Sequence, residues 1–218
     1  MSSSLILHVD PFWISPYAFT AFVALKEKGL DFETRVVDLS KGEHRKEPYR
    51  SASLTARIPA LVHDGFWLTE SNAIAEYVED AFPPPAHARL FPADPRQRAR
   101  ARQVMAFVRS DLGPLRDERS AETVVYKMQA PPPLSAAAAR AAAKLVEVAG
   151  TLLGDRRDTA FGQWSIADAD LAFALHRLIA SGDDVPANLR AYADAQWARP
   201  SVRGYLDHPR APFVPYNY

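Results

Sequence analysis

With 218 residues, 26 Lys+Arg against 26 Asp+Glu and no cysteine, the sequence excludes several classes of protein at once. Zero net charge supplies no global field toward nucleic acid or a membrane surface, and without cysteine there is no disulfide framework, thiolate metal site or sulfur nucleophile of the chain's own. A composition of 48% hydrophobic and 24% charged residues suits a chain that buries a core. No apolar run approaches the about 18 residues of a membrane span, and the expected address is cytoplasmic.

Leu5 to Val9 reads as a strand, and Ser15-Pro16 starts a helix whose apolar positions Phe19, Phe22, Val23 and Leu25 recur until Gly29 ends it. Asp31 to Leu39 reads as a second strand, completing a βαβ unit. After Pro59, Ala60 to Val62 and Phe66 to Leu68 flank the hairpin signal Asp64-Gly65, and a helix follows over Asn72 to Phe82. Pro83-Pro84-Pro85 cannot continue that helix, so 83–93 reads as a linker between residues 1–82 and 94–218.

The second part reads helical throughout. One helix runs from Pro95 past Arg109 to a break at Gly113-Pro114, and another covers Ser135 to Leu153. A third begins at Ser165, which with Asp168 three residues on forms a capping box. Shorter helices are predicted around Asn188 to Trp197 and Ser201 to His208.

This order, βαβ(α)ββα and then helices, resembles the glutathione S-transferase family, and four motifs fall where that family has them. They are Ser15-Pro16-Tyr17, Arg57-Ile58-Pro59, Glu70-Ser71-Asn72-Ala73-Ile74 and Ser165-Ile166-Ala167-Asp168. Gly42-Glu43-His44 and Arg109-Ser110-Asp111-Leu112 look most like the bacterial YfcF-like branch, with zeta-type, maleylacetoacetate isomerase-like enzymes as the nearest familiar class. The resemblance implies a thioredoxin-like α/β glutathione-binding domain over 1–82 and an all-helical domain over 94–218. Glutathione enters as co-substrate with no tightly bound cofactor, and the assembly implied is a homodimer.

Each motif has two readings. Ser15 is a helix N-cap, or its hydroxyl donates to the sulfur of glutathione while the positive helix end favours thiolate over thiol. Tyr17 is a fallback donor, two residues into the helix. Glu70 and Ser71 cap a helix, or bind the γ-glutamyl α-ammonium and carboxylate of glutathione. Ile58-Pro59 resembles the family's cis-proline, whose preceding residue pairs its backbone with the cysteinyl unit. Arg57 and His44 are solvated charges, or partners of the glycyl carboxylate. Ser53-Leu54-Thr55-Ala56 departs from the family's Asn-Pro turn followed by glycine.

Phe12, Trp13, Met105, Arg109 and Leu112 are expected to line an apolar second-substrate pocket for a hydrophobic electrophile, with Arg109 or Arg116 available to an anion. The histidines lack metal-ligand spacing, and no metal or nucleic-acid site is expected. The function implied is a glutathione S-transferase of detoxifying type, whose thiolate attacks electrophilic carbon or reduces an organic peroxide. A zeta-like isomerase that returns its glutathione and a non-catalytic binding scaffold are the alternatives.

Overall fold

The computed structural model describes residues 4–126, 131–154 and 158–215. The chain forms two compact units: the stretch up to Leu90 together with the returning segment from Gly204, and Phe91–Arg203. That return differs from the expected helical domain of 94–218: residues 204–215 group instead with the first unit.

In the first unit, β1 (Leu5–Val9), α1 (Pro16–Glu27), β2 (Glu33–Val36), α2 (Tyr49–Ala52), β3 (Ala60–His63), β4 (Phe66–Thr69) and α3 (Ser71–Ala81) follow one another. The sheet order is β2-β1-β3-β4, with β1 parallel to β2 and antiparallel to β3, and β3 antiparallel to β4. The parallel pair is the one joined through α1, because only a crossover connection returns a strand in the same direction. β2 is shorter than the predicted Asp31 to Leu39: it is an edge strand with Val36 55% exposed, and an edge with no buried face gains little from extension.

Strand alternation gives each face of the sheet its own core. Leu5, Leu7 and Val9 are fully or nearly fully buried, and α1 contributes Phe19, Phe22, Val23 and Leu25 while packing against α3. On the α2 side Tyr49, Val37 and Ala60 cluster with Ile58 and Trp67. His8 joins them, stacked on Trp67 at 4.9 Å and edge-on to Tyr49 at 5.4 Å.

His8 is 8% exposed and neither ring nitrogen has a partner. Burial, reinforced by the Arg35 charge, lowers its pKa from 6.5 to about 4. A histidine kept neutral by folding stabilises the fold fully above its unfolded pKa, and that contribution is lost as pH falls through 6.5 toward 4. In chemical denaturation the stability of the wild type is therefore expected to fall by up to about 3 kcal/mol as pH drops over that interval, and His8→Phe to flatten the slope. An unchanged slope in the variant would show that other groups govern acid sensitivity.

The second unit is helical: α4 (Pro95–Ser110), α5 (Gly113–Glu118), α6 (Ala121–Tyr126), α7 (Ala136–Leu153), α8 (Ile166–Ser181), α9 (Ala187–Trp197) and α10 (Pro200–Leu206), the last running into the returning segment. Gly113-Pro114, read as a break, also starts α5, since proline is compatible with the first helical turn where its missing N–H is no loss. α8 is buried along nearly its whole length and packs against α4, α6, α7 and α9. Its predicted capping box is present: Asp168 accepts from the Ser165 amide at 2.8 Å, and Ser165 caps the third residue of the helix.

Candidate functional site

The candidate residues of the first unit lie at the start of two helices and in the loop before β3. Ser15 is the N-cap of α1, with φ −63° and ψ 118°, and its Oγ accepts from the Ala18 amide at 3.2 Å. Accepting leaves the hydroxyl proton to be donated. The side chain stands at the positive end of a 12-residue helix, where exposed amides and the helix dipole favour an anion.

The loop that delivers Ser15 is organised by Asp10, which stands directly after β1 and is 1% exposed. Asp10 Oδ1 accepts from the amides of Phe12 at 3.1 Å and Ile14 at 3.0 Å, and Oδ2 accepts from the Ser15 amide at 3.1 Å. Burial raises the Asp10 pKa, opposed by those amide hydrogen bonds. Winding the loop around one carboxylate puts Trp13 at φ +52°. Such left-handed backbone in a bulky residue persists only where the surroundings hold it.

Glu70 occupies the N-cap position of α3 at φ +67°. Its carboxylate is exposed and accepts from Thr55 Oγ1 at 3.2 Å. Thr55 Oγ1 also lies 2.9 Å from Thr69 Oγ1, which in turn donates to the Ser53 carbonyl at 3.0 Å. This tie joins the departing loop Ser53-Leu54-Thr55-Ala56 to the β4–α3 corner. Leu54 and Ala56 also have positive φ, 58° and 52°. Ser71 is 4% exposed at the first position of α3.

The Ile58–Pro59 peptide is cis. The preceding residue is fixed by Tyr49, whose hydroxyl donates to the Arg57 carbonyl at 2.7 Å. The Arg57 side chain is exposed. His44 is 9% exposed and accepts from Arg45 Nε through Nε2 at 3.2 Å. Burial, then the charges of Arg45 and Arg57, lower its pKa, so His44 is a neutral ring beside two guanidinium groups.

The residues expected to face a second substrate fare differently. Trp13 is 3% exposed, stacked on His208 at 3.6 Å and packed against Tyr205 and Phe22. Phe12 is half-buried, with its ring edge-on to Phe213. In the helical unit Met105 and Leu112 are each 1% exposed and belong to buried packing. Arg109 forms a 2.5 Å ion pair with Asp170 and donates to the Met105 carbonyl, so its charge is already matched. Arg116 donates to the carbonyls of Val108 and Arg109 at the end of α4. Among the five lining residues expected from the sequence, Trp13, Met105 and Leu112 are thus buried side chains rather than open walls.

Sequence reading passed over Asp10, Tyr49 and Tyr205 and gave Thr55 only as part of an atypical turn, yet these residues hold the candidate residues in place. An aspartate just after a strand, followed by a short loop to a helix, is an Asx-turn signal that points to Asp10. No local pattern reveals Tyr205, whose hydroxyl donates at 3.0 Å to the Ser15 carbonyl from 190 residues away.

A small mixed sheet of this order, flanked by helices and followed by an all-helical unit, defines the thioredoxin-like plus helical architecture of glutathione transferases. The chain belongs to the glutathione S-transferase family: residues 14–81 match the family's N-terminal domain and residues 94–209 its C-terminal domain. A glutathione transferase homolog from Burkholderia gl BGR1, solved with bound glutathione, is 43% identical, with 94% of this chain and 96% of that one covered and a TM-score of 0.77. Maleylacetoacetate isomerase of Pseudomonas aeruginosa is 40% identical over 107 residues, 48% of this chain and 49% of that protein. A maleylpyruvate isomerase of the zeta class, solved in its holo form, is 25% identical over 93% of this chain and 95% of that one, with a TM-score of 0.69. The chain spans about half the length of the curated relatives it matches.

Proposed function

We propose that this protein is a serine-type glutathione transferase, in which the Ser15 hydroxyl donates to the sulfur of bound glutathione and holds it as the thiolate that attacks an electrophilic carbon. The observation that carries the reading is the state of Ser15: at a helix N-terminus, with its oxygen accepting from Ala18 and its proton left to donate. Glu70 and the start of α3 at Ser71 take the γ-glutamyl end, the Ile58 backbone pairs with the cysteinyl unit, and Arg57 with neutral His44 meets the glycyl carboxylate. Support for this placement is the bound glutathione of the Burkholderia homolog, at 43% identity over nearly the whole chain. The working assembly in this reading is a two-fold homodimer, and the second substrate is a hydrophobic electrophile.

A hydrogen bond to a charged acceptor contributes about 1.5 to 3 kcal/mol, equivalent to about one to two pKa units. Ser15→Ala is therefore expected to raise the thiol pKa of enzyme-bound glutathione by about one to two units, read by thiolate ultraviolet absorbance, and to lower kcat/KM for a model electrophile about ten- to a hundredfold at neutral pH. Binding with a thiol that ignores the substitution would favour a scaffold.

Likeness to the Pseudomonas maleylacetoacetate isomerase, 40% identical over its matched region, favours a second reading as a glutathione-dependent isomerase. That chemistry returns glutathione unchanged at each turnover, so product formation from a conjugated cis-diacid without glutathione consumption separates the two. Arg109 and Arg116, the arginines considered for an anionic substrate, are engaged by Asp170 and by backbone carbonyls.

A further inference from the structure

We propose that Asp10 and Tyr205 are positioning residues for Ser15, gripping its peptide from both sides so that the hydroxyl keeps one orientation at the mouth of α1. The proposal rests on the serine reading above. On the amide side, the Ser15 N–H donates to Asp10 Oδ2 at 3.1 Å. On the carbonyl side, Ser15 O accepts twice, from the Phe19 amide at 2.9 Å as the first bond of α1 and from the Tyr205 hydroxyl at 3.0 Å.

Both lone pairs of that carbonyl and its own N–H are thus committed. With Oγ accepting from the Ala18 amide as well, neither the Ser15 backbone nor its side chain about Cα–Cβ can turn without breaking a bond, and only the hydroxyl proton stays free to turn toward an acceptor. Two further side chains are thus added to one N-cap residue, Asp10 from five residues before it and Tyr205 from 190 residues after it.

Tyr205 is itself immobilised. It is 0% exposed, and its ring packs against Trp13 at 5.2 Å and against Phe19 and Phe22 at 5.5 Å each. Trp13, the left-handed residue of the Asp10 loop, is held between that ring and His208, so the segment returning from Gly204 braces the loop as well as the serine. A preorganised donor loses no orientational freedom when charge develops on its partner, which is what makes such placement worth more than proximity alone.

Tyr205→Phe keeps the ring packing and removes only the hydroxyl. The thiol pKa of glutathione bound to wild type, Ser15→Ala and Tyr205→Phe is titrated by thiolate absorbance, together with the glutathione Kd well below the thiol pKa and the thermal midpoint. The expected result is a rise of about half a unit or more in Tyr205→Phe, smaller than that of Ser15→Ala, with Kd within about threefold of wild type. A purely structural role would lower the midpoint and leave the thiol unmoved.

If Ser15→Ala raises the pKa and Tyr205→Phe leaves it at the wild-type value, the positioning role is overturned and the serine reading stands. If Ser15→Ala leaves it unmoved, both fall. Should Tyr205→Phe not fold, Asp10→Asn tests the amide side: removing a negative charge by itself lowers the thiol pKa, so a rise carries the proposal and a fall overturns it.

Discussion

Asp168→Ala is expected to destabilise the helical unit by about 4 kcal/mol, lowering its thermal midpoint by about 10 °C. The carboxylate is fully buried at the start of α8 and serves four donors: the amides of Ala160 at 2.7 Å and Ser165 at 2.8 Å, the Ser165 hydroxyl at 3.0 Å and the Tyr192 hydroxyl at 2.8 Å. An N-cap alone contributes about 1 kcal/mol, so most of the effect comes from elsewhere. Removing the acceptor takes this partner from the Ala160 and Ser165 amides and leaves the Tyr192 hydroxyl only its 3.4 Å bond to the Asp168 carbonyl, each buried donor so deprived costing about 1 to 3 kcal/mol without full additivity. The helix dipole favours the anion at this end, whereas burial raises its pKa overall. Asp168→Asn keeps one accepting oxygen and should lose less than the alanine variant in urea denaturation. Equal losses in the two would show that charge, rather than acceptor geometry, is what α8 requires.

The capping box at Ser165 and Asp168 was legible because it is local: two residue types at a fixed spacing before an apolar stripe. The same holds for Ser15-Pro16 as a helix start and for the Asp64-Gly65 hairpin, both present where the pattern puts them. What the pattern could not convey is partnership across the chain. Asp168 also binds Ala160 and Tyr192, 8 and 24 residues away, and Ser15 is held by a tyrosine 190 residues on. Periodicity identifies a buried face, yet it does not say whether that face meets a ligand or the core. Met105 and Leu112 have the composition of a pocket and are packed inside, and Arg109 looks available until Asp170 is found beside it.

Backbone conformation was likewise hidden. Trp13, Leu54, Ala56 and Glu70 all adopt positive φ, although none is a residue type that signals it. Trp13 is held by Asp10 three residues before it and by the aromatic stack, and the Thr55–Thr69 tie joins the loop around residues 53–56 to Glu70. Trp13, Leu54 and Ala56 lie close in sequence to the candidate glutathione-binding groups, and Glu70 is one of those groups. Strain of this kind concentrates at sites where geometry serves binding rather than folding.

The Lys28–Glu79 pair carries the other large expected effect. Lys28 Nζ lies 2.6 Å from Glu79 Oε2, with the two side chains 0% and 3% exposed, at the contact of α1 with α3. Lys28 also donates to the Phe82 carbonyl at 2.8 Å, and Glu79 accepts from the Leu90 amide at 2.8 Å, so the pair pins the chain that leaves α3. Removing one partner of a buried pair strands the other, which costs about 3 to 5 kcal/mol, and Glu79→Ala is expected to fall in that range with Leu90 N–H orphaned in addition. The pair as a whole contributes far less, because desolvation offsets most of its attraction. Lys28→Met combined with Glu79→Gln, which retains an acceptor for Leu90 and leaves no buried charge, should therefore recover most of the stability lost by Glu79→Ala. Denaturant midpoints of Lys28→Met, Glu79→Gln and their double variant close the cycle and give the coupling directly. A double variant as unstable as Glu79→Ala would mean that the ion pair, and not the Leu90 anchor with apolar packing, fixes the end of α3.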